Sequence, residues 1–273
     1  MRNLVSIDFT GSNASIAKKG WNLSYDGKDY ACVTKGAPTV IPAIVPGGYH
    51  SPDSLQITLA PTSGTGPDHG RDKINYCIVS GHSPNAPTFD DRTTQFAFAI
   101  KLERSFQAPV SGSGYVLAQW WQGAPFGPPL ALQLLNSVHP EDDPRIVFAI
   151  HNDQTGGNPS AKVVYAYPKV VCELVRGRWY YFICRVKVSY DARVEGRLEV
   201  WINRDPVPGE QDVLSTGNIG YNPRLTAAQL GFTNGDLTAH PNPRMQIEVG
   251  PYRDRMTTTQ TFYYDHISYA ISQ

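Results

Sequence analysis

In MQIEVGPYRDRM (residues 245–256), alternate positions carry Gln246, Glu248, Gly250 and Tyr252, with Met245, Ile247, Val249 and Pro251 between them. Successive side chains of a strand point to opposite faces. The apolar set therefore belongs to a core, and the other set lines either a wet sheet face or one wall of a binding cleft. By the same count GYVLAQWWQG (114–123) puts Tyr115, Leu117, Gln119 and Trp121 on one face. An indole can stack on a sugar ring while a neighbouring amide fixes a polar group. GRDKINYCIV (70–79) aligns Arg71, Lys73, Asn75 and Cys77. A guanidinium, an ammonium and an amide on one face suit a carboxylate.

These side chains need a scaffold of strands, and the chain supplies one. Strand-like runs recur from LVSIDF (4–9) to TFYYDHISYAI (261–271), and Gly- and Pro-rich turns such as PTSGTGPDHG (61–70) and GAPFGPP (123–129) separate them. Only NPRLTAAQL (222–230) reads as a helical turn. Twelve or more strands with little helix predict a two-sheet β-sandwich or jelly roll. With no linker and no internal repeat, residues 1–273 read as a single domain. In GRWYYFICRVKVSYD (177–191), Tyr180, Phe182, Cys184, Val186 and Val188 form an apolar face opposite Trp179, Tyr181, Ile183, Arg185 and Lys187. That is a core strand with one partly wet side.

Composition narrows the function classes. The 273 residues are 41% hydrophobic, enough for a sizeable core, and 24 basic residues balance 24 acidic ones. No basic tail points to nucleic acid or to an anionic membrane surface, and no apolar run approaches the ~20 residues that cross a bilayer. The spacing of Cys32, Cys77, Cys172 and Cys184 matches no zinc motif. One disulfide is compatible with them, and two are not expected.

The basic strand, then AQWW (118–121), then IEVGPYR (247–253) followed by FYYDHISYA (262–270), occur in the order and rough spacing of the jelly-roll polysaccharide lyases. The chain resembles the alginate lyases of family 7, heparin lyase I and especially fungal-type glucuronan lyase. The segment RGRWYYFICRVKVSYDARVEGRLEVWINR (176–204) is similar to their middle region, and the resemblance spans roughly residues 45–270. It implies a concanavalin A-like β-jelly roll whose concave sheet binds an acidic polysaccharide. It also implies cleavage by β-elimination: a Gln, Asn or Arg neutralises the uronate carboxylate, a His or Tyr removes the C5 proton, and a Tyr protonates the leaving O4.

Carried over to this chain, the resemblance makes Tyr252, Gln119 and Arg71 catalytic, with Lys73, Asn75, Trp121, Tyr115, Glu248 and Arg253 contacting substrate. Where two of these families carry a histidine two positions after the glutamine, this chain has Trp121. The base histidine then comes from elsewhere. By its separation from Gln119 it is His82, with His50 and His69 as rivals and His50 also a substrate contact. Glu248 stands where heparin lyase I has a lysine, so heparin is not the expected substrate. No cofactor is required, although Asp265 offers oxygen ligands of the kind a structural calcium takes; HPEDDPR (139–145) reads as a solvated acidic turn. The implied protein is secreted and monomeric, with an acidic polysaccharide as its partner.

Two other functions compete. A sandwich-fold glycoside hydrolase needs two carboxyls flanking the bond; Glu199 and Glu248 are the plausible pair. A non-catalytic carbohydrate-binding module would use Trp120, Trp121 and Tyr252 as a stacking platform.

Overall fold

A computed structural model of the chain describes all residues except 11–12, 37–39, 62–65, 82, 84–85, 88–91, 111–114, 122–127, 154–162, 166–171, 189–195, 204–211, 218–219, 222–244 and 273. The expected helical turn at 222–230 lies outside the described residues. Among those described, twenty strands, numbered along the chain, form three sheets.

One eight-stranded sheet runs in the order β17 (Asp212–Gly217), β16 (Gly196–Ile202), β15 (Trp179–Lys187), β9 (Thr93–Leu102), β20 (Gln260–Ile271), β7 (Asp53–Leu59) and β6 (Ala43–Pro46), with β1 (Arg2–Ile7) also on β20. The nine-stranded sheet runs β13 (Val163–Tyr165), β12 (Arg145–Asp153), β11 (Leu130–Leu134), β10 (Tyr115–Trp121), β19 (Gln246–Arg255), β8 (Gly66–Val79) and β5 (Cys32–Lys35). On β12 it also carries β14 (Cys172–Glu173) and β18 (Gly220–Tyr221). A small third sheet joins β2 (Ala14–Ile16), β3 (Leu23–Tyr25) and β4 (Lys28–Tyr30).

The two large sheets bury their facing sides in one apolar core, which is the expected jelly-roll sandwich. Phe96 and Phe98 of the eight-stranded sheet share that core with Leu117, Trp120 and Ile247 of the other. The edge of Phe96 on the Trp120 ring, 5.6 Å between centroids, ties them together. In β15 the expected apolar face is buried, and Tyr181, Arg185 and Lys187 are partly exposed. Among the described residues no helix is long and apolar enough to cross a membrane.

The four cysteines are free thiols. Burial pushes Cys32 up to about 11, and Cys77 and Cys172 to about 12.

Candidate active site

Four adjacent strands of the nine-stranded sheet, β5, β8, β19 and β10, carry the polar residues singled out in the sequence. Their order puts Lys35, then Arg71, Lys73 and Asn75, then Glu248 and Tyr252, then Gln119 and Trp121, side by side across the sheet. Above them lies a cavity of about 610 Å³, whose lining includes Lys35, Arg71, Lys73, Gln119, Trp121 and Tyr252.

Tyr252 stands among cations. Arg71 Nη1 and Lys35 Nζ each donate to its phenol oxygen at 3.4 Å. The Arg71, Lys73 and Lys35 charges lie 5.5, 5.6 and 5.8 Å from its ring centroid. Burial pushes the phenol up, but the hydrogen bond and charge of Arg71, and then those of Lys35, outweigh it; the net shift is downward. Asp254 holds Arg71 in place, accepting from its Nε at 2.9 Å. Arg71 itself is raised further, first by its hydrogen bond to Tyr252.

Glu248 is fully buried at the floor of the same face. Its Oε2 accepts from Lys73 Nζ at 2.6 Å, Gln119 Nε2 at 2.5 Å and Asn75 Nδ2 at 3.2 Å; Oε1 accepts from Gln246 Nε2 at 2.5 Å. Lys73 also faces the Trp121 ring at 5.9 Å.

The arrangement presents several N–H donors to an anion and one phenol of lowered proton affinity within the same cavity. A carboxylate held by such donors and a proton moved by that phenol are what the geometry supports.

Two irregularities position the set. Between β10 and β11 the register shifts so that Val116 opposes Gln133 and Ala118 opposes Leu132. That extra residue in β10 inverts the alternation: Val116, Gln119 and Trp121 line the cavity, whereas Tyr115, Leu117, Ala118 and Trp120 are buried in the core. Tyr115 is therefore not a substrate contact; its hydroxyl reaches the Met256 sulfur. In β19, Gly250 adopts φ +130°, and a Cβ there would meet the Ile74 carbonyl oxygen and stand 2.9 Å from Asn75 Cα. Glycine is what lets β19 approach β8 at this point.

Other expectations are corrected. Arg253 points away from the cavity; fully buried, it donates to the carbonyls of Leu59 at 3.3 Å, Ala60 at 2.9 Å and Thr258 at 3.3 Å. His50 belongs to a ring cluster with Tyr49 and His266 on the eight-stranded sheet, where Tyr49 stacks on Tyr181. It is neither the base nor a substrate contact of this cavity. His82 lies outside the described residues; for His69 only its place in β8 is described.

Asp265 does not fit a calcium ion. Its oxygens accept from the backbone N–H groups of Tyr49, His50, Ser51 and His266 and from Ser51 Oγ, donors where an ion needs acceptors. In the acidic turn, Arg176 pairs with Asp143 at 3.2 Å and donates to the carbonyls of Pro140 and Asp142. Trp120, proposed for a stacking platform, is core. Glu199 lies on β16 in the other sheet, paired with Arg197 at 2.7 Å and Arg185 at 3.7 Å, so the hydrolase pair is divided between two sheets.

Sequence reading missed Lys35 and Asp254. Lys35 ends the four-residue run CVTK, too short to show a face, and only its register opposite Lys73 reveals it. Asp254 continues the even-numbered alternation of Glu248 and Tyr252, and its spacing two residues beyond Tyr252 was the available signal.

The family described as "Polysaccharide lyase" matches this chain over residues 79–268, more than half of its length. That span holds Gln119, Trp121, Glu248 and Tyr252 and leaves Lys35 and the basic strand outside it. Among solved structures, the endo-beta-1,4-glucuronan lyase from the fungus Trichoderma reesei is similar over 98% of this chain and 95% of its own, with TM-score 0.55 and 14% identity. The alginate lyase from Klebsiella pneumoniae matches over 97% and 93%, with TM-score 0.50 and 9% identity. An alginate lyase from Chlorella virus matches over 86% and 91%, with TM-score 0.50 and 11% identity. At these identities the likeness is one of fold. No curated protein sequence matches.

Proposed function

The chain belongs to the polysaccharide lyase family, and from that premise we propose that it cleaves a uronic-acid polysaccharide of the glucuronan type by β-elimination. The observation that carries this reading is the Tyr252 phenol, hydrogen-bonded by Arg71 and Lys35 at the cavity and lowered in proton affinity. The name of the fungal neighbour, a glucuronan lyase, supports the choice of polymer.

In this reading the sugar carboxylate is received by the free N–H groups of Lys73, Gln119, Arg71 and Lys35. Their positive field stabilises the charge that develops when the C5 proton leaves. Tyr252, ionised more readily than an ordinary phenol, takes that proton. The C5–H electron pair forms the C4–C5 double bond, the C4–O4 bond breaks, and the phenol returns the proton to O4. Trp121 stacks on a neighbouring sugar ring. In this reading the Tyr252 phenol serves as both base and acid.

The test is ultraviolet absorbance during incubation with glucuronan, alginate, hyaluronan, pectate and heparin. A rise from the new double bond is expected with glucuronan and not with heparin. Tyr252→Phe should lower the rate about 10²–10⁴-fold while keeping the wild-type melting temperature. A rise only with alginate would replace the polymer and leave the chemistry. Reducing ends without a rise, or full turnover by Tyr252→Phe, would overturn the mechanism. Loss of activity in His82→Gln would move the base role to His82.

A further inference from the structure

Glu248 sits in the middle of the donor set yet is fully buried and does not line that cavity. Its Oε2 takes three donors, Lys73, Gln119 and Asn75, and its Oε1 takes Gln246. Fully buried beneath these donors, it does not reach a substrate proton, which excludes it as a general base. What it does is constrain its partners.

Each of the three amides must turn its NH₂ toward Glu248. Asn75 does so although its Oδ1, buried, has no hydrogen-bond partner among the described residues. For Gln119, one N–H is spent on Glu248 and the second remains for the cavity that it lines. Lys73 likewise spends one of its three hydrogens and keeps the others. Its charge, however, is cancelled at 2.6 Å.

We propose that Glu248 is a positioning residue: a buried counter-charge that aims the free N–H groups of Lys73 and Gln119 into the cavity and cancels the Lys73 charge there. The site then recognises a single carboxylate per sugar at the point of cleavage. This rests on the polyuronate reading above. Among the described residues, the charged groups around Tyr252 are Lys35 on β5, Arg71 and Lys73 on β8, and Asp254 and Glu248 on β19; β10 faces it with Val116, Gln119 and Trp121, all neutral. Three cations thus face two carboxylates, leaving one net positive charge for one bound carboxylate. Cys77, opposite Glu248 in the ladder, stays protonated: burial first, then the Glu248 charge, push it up to about 12.

The decisive variants are Glu248→Gln, Lys73→Gln and the pair together, with Glu248→Asp as the charge-conserving control. The first readout needs no activity: ultraviolet titration of the Tyr252 phenol, isolated by subtracting the Tyr252→Phe protein. Glu248→Gln removes a negative charge and should lower the phenol midpoint by about half to one pH unit; Lys73→Gln should raise it as much. The double variant should return close to wild type. Glu248→Asp should keep the midpoint, whether or not Glu248→Gln folds.

The second readout is turnover. Glu248→Gln and Glu248→Asp should each lower kcat at least tenfold with a smaller change in KM, because the amide of Gln119 loses its aim. An unmoved midpoint in the single charge variants, or unchanged kcat in both Glu248 variants, would overturn the proposal. If the wild-type protein cuts no polyuronate but the midpoints move as stated, the substrate reading fails and the charge-balancing role stands.

Discussion

Replacing Lys35 by Gln removes a cation whose Nζ lies 3.4 Å from the Tyr252 oxygen. Burial then opposes ionisation with only Arg71, of the two lowering influences, against it, so the phenol rises toward its ordinary value near 10. A base that must be ionised works above its pKa, so the acidic limb of the pH–kcat profile should move to higher pH in Lys35→Gln. Arg71→Gln should move it further, since Arg71 is the larger of the two lowering influences. An unchanged limb in both variants would remove the phenol from the base role. At this scale the sequence was informative where residue type and alternation coincide: Arg71, Lys73, Asn75, Glu248 and Tyr252 do share a face. It was silent on Lys35, which enters through strand pairing alone.

The strands decide which residues of a motif reach the cavity. Counting by twos along β10 put Tyr115 beside Gln119, and a single extra residue at Leu117–Ala118 separated them, because one inserted residue sends every later side chain to the other face. No residue type in GYVLAQWWQG marks that insertion, whereas Gly250 does mark the tight passage in β19. Gly250→Ala should be severe: φ +130° disfavours any L side chain, and the new methyl has no room beside Ile74 and Asn75. A melting temperature lowered by several degrees and weaker activity are expected, since Asn75 and Tyr252 would be displaced together. A wild-type melting curve for this variant would show that β19 and β8 do not pack so closely.

Over the whole molecule, the sandwich was legible because the twenty described strands leave a period-two pattern and frequent turns, and the layer arrangement follows from needing to bury one face of each sheet. Which sheet a loop residue joins was not legible. His50 sits on the eight-stranded sheet because the buried Asp265 carboxylate gathers the backbone of Tyr49, His50 and Ser51, a tertiary contact across more than two hundred residues of chain. The free thiols, all raised, predict a further global property. A reducing agent should leave the melting temperature unchanged, and thiol-specific alkylation of the native protein should be slow at neutral pH. A clear drop in melting temperature on reduction would contradict the free cysteines.

Lys35 stands on β5, the outermost strand of its sheet, and directly opposite Lys73. Lys73 and Arg71 each pair with a carboxylate, whereas among the described residues Lys35 has only the Tyr252 hydroxyl at 3.4 Å, so an empty site leaves the strand at the sheet edge loosely held. A bound polyanion supplies the missing counter-charge and clasps β5 to the sheet. The cleft rim would thus breathe when vacant and tighten around its chain, a motion visible as slower amide hydrogen exchange at Val33–Lys35 when the Tyr252→Phe protein is saturated with uncut oligouronate. Equal exchange with and without the oligosaccharide would mean that the rim is rigid from the start, and that capture of the polymer is left to the donors on the inner strands.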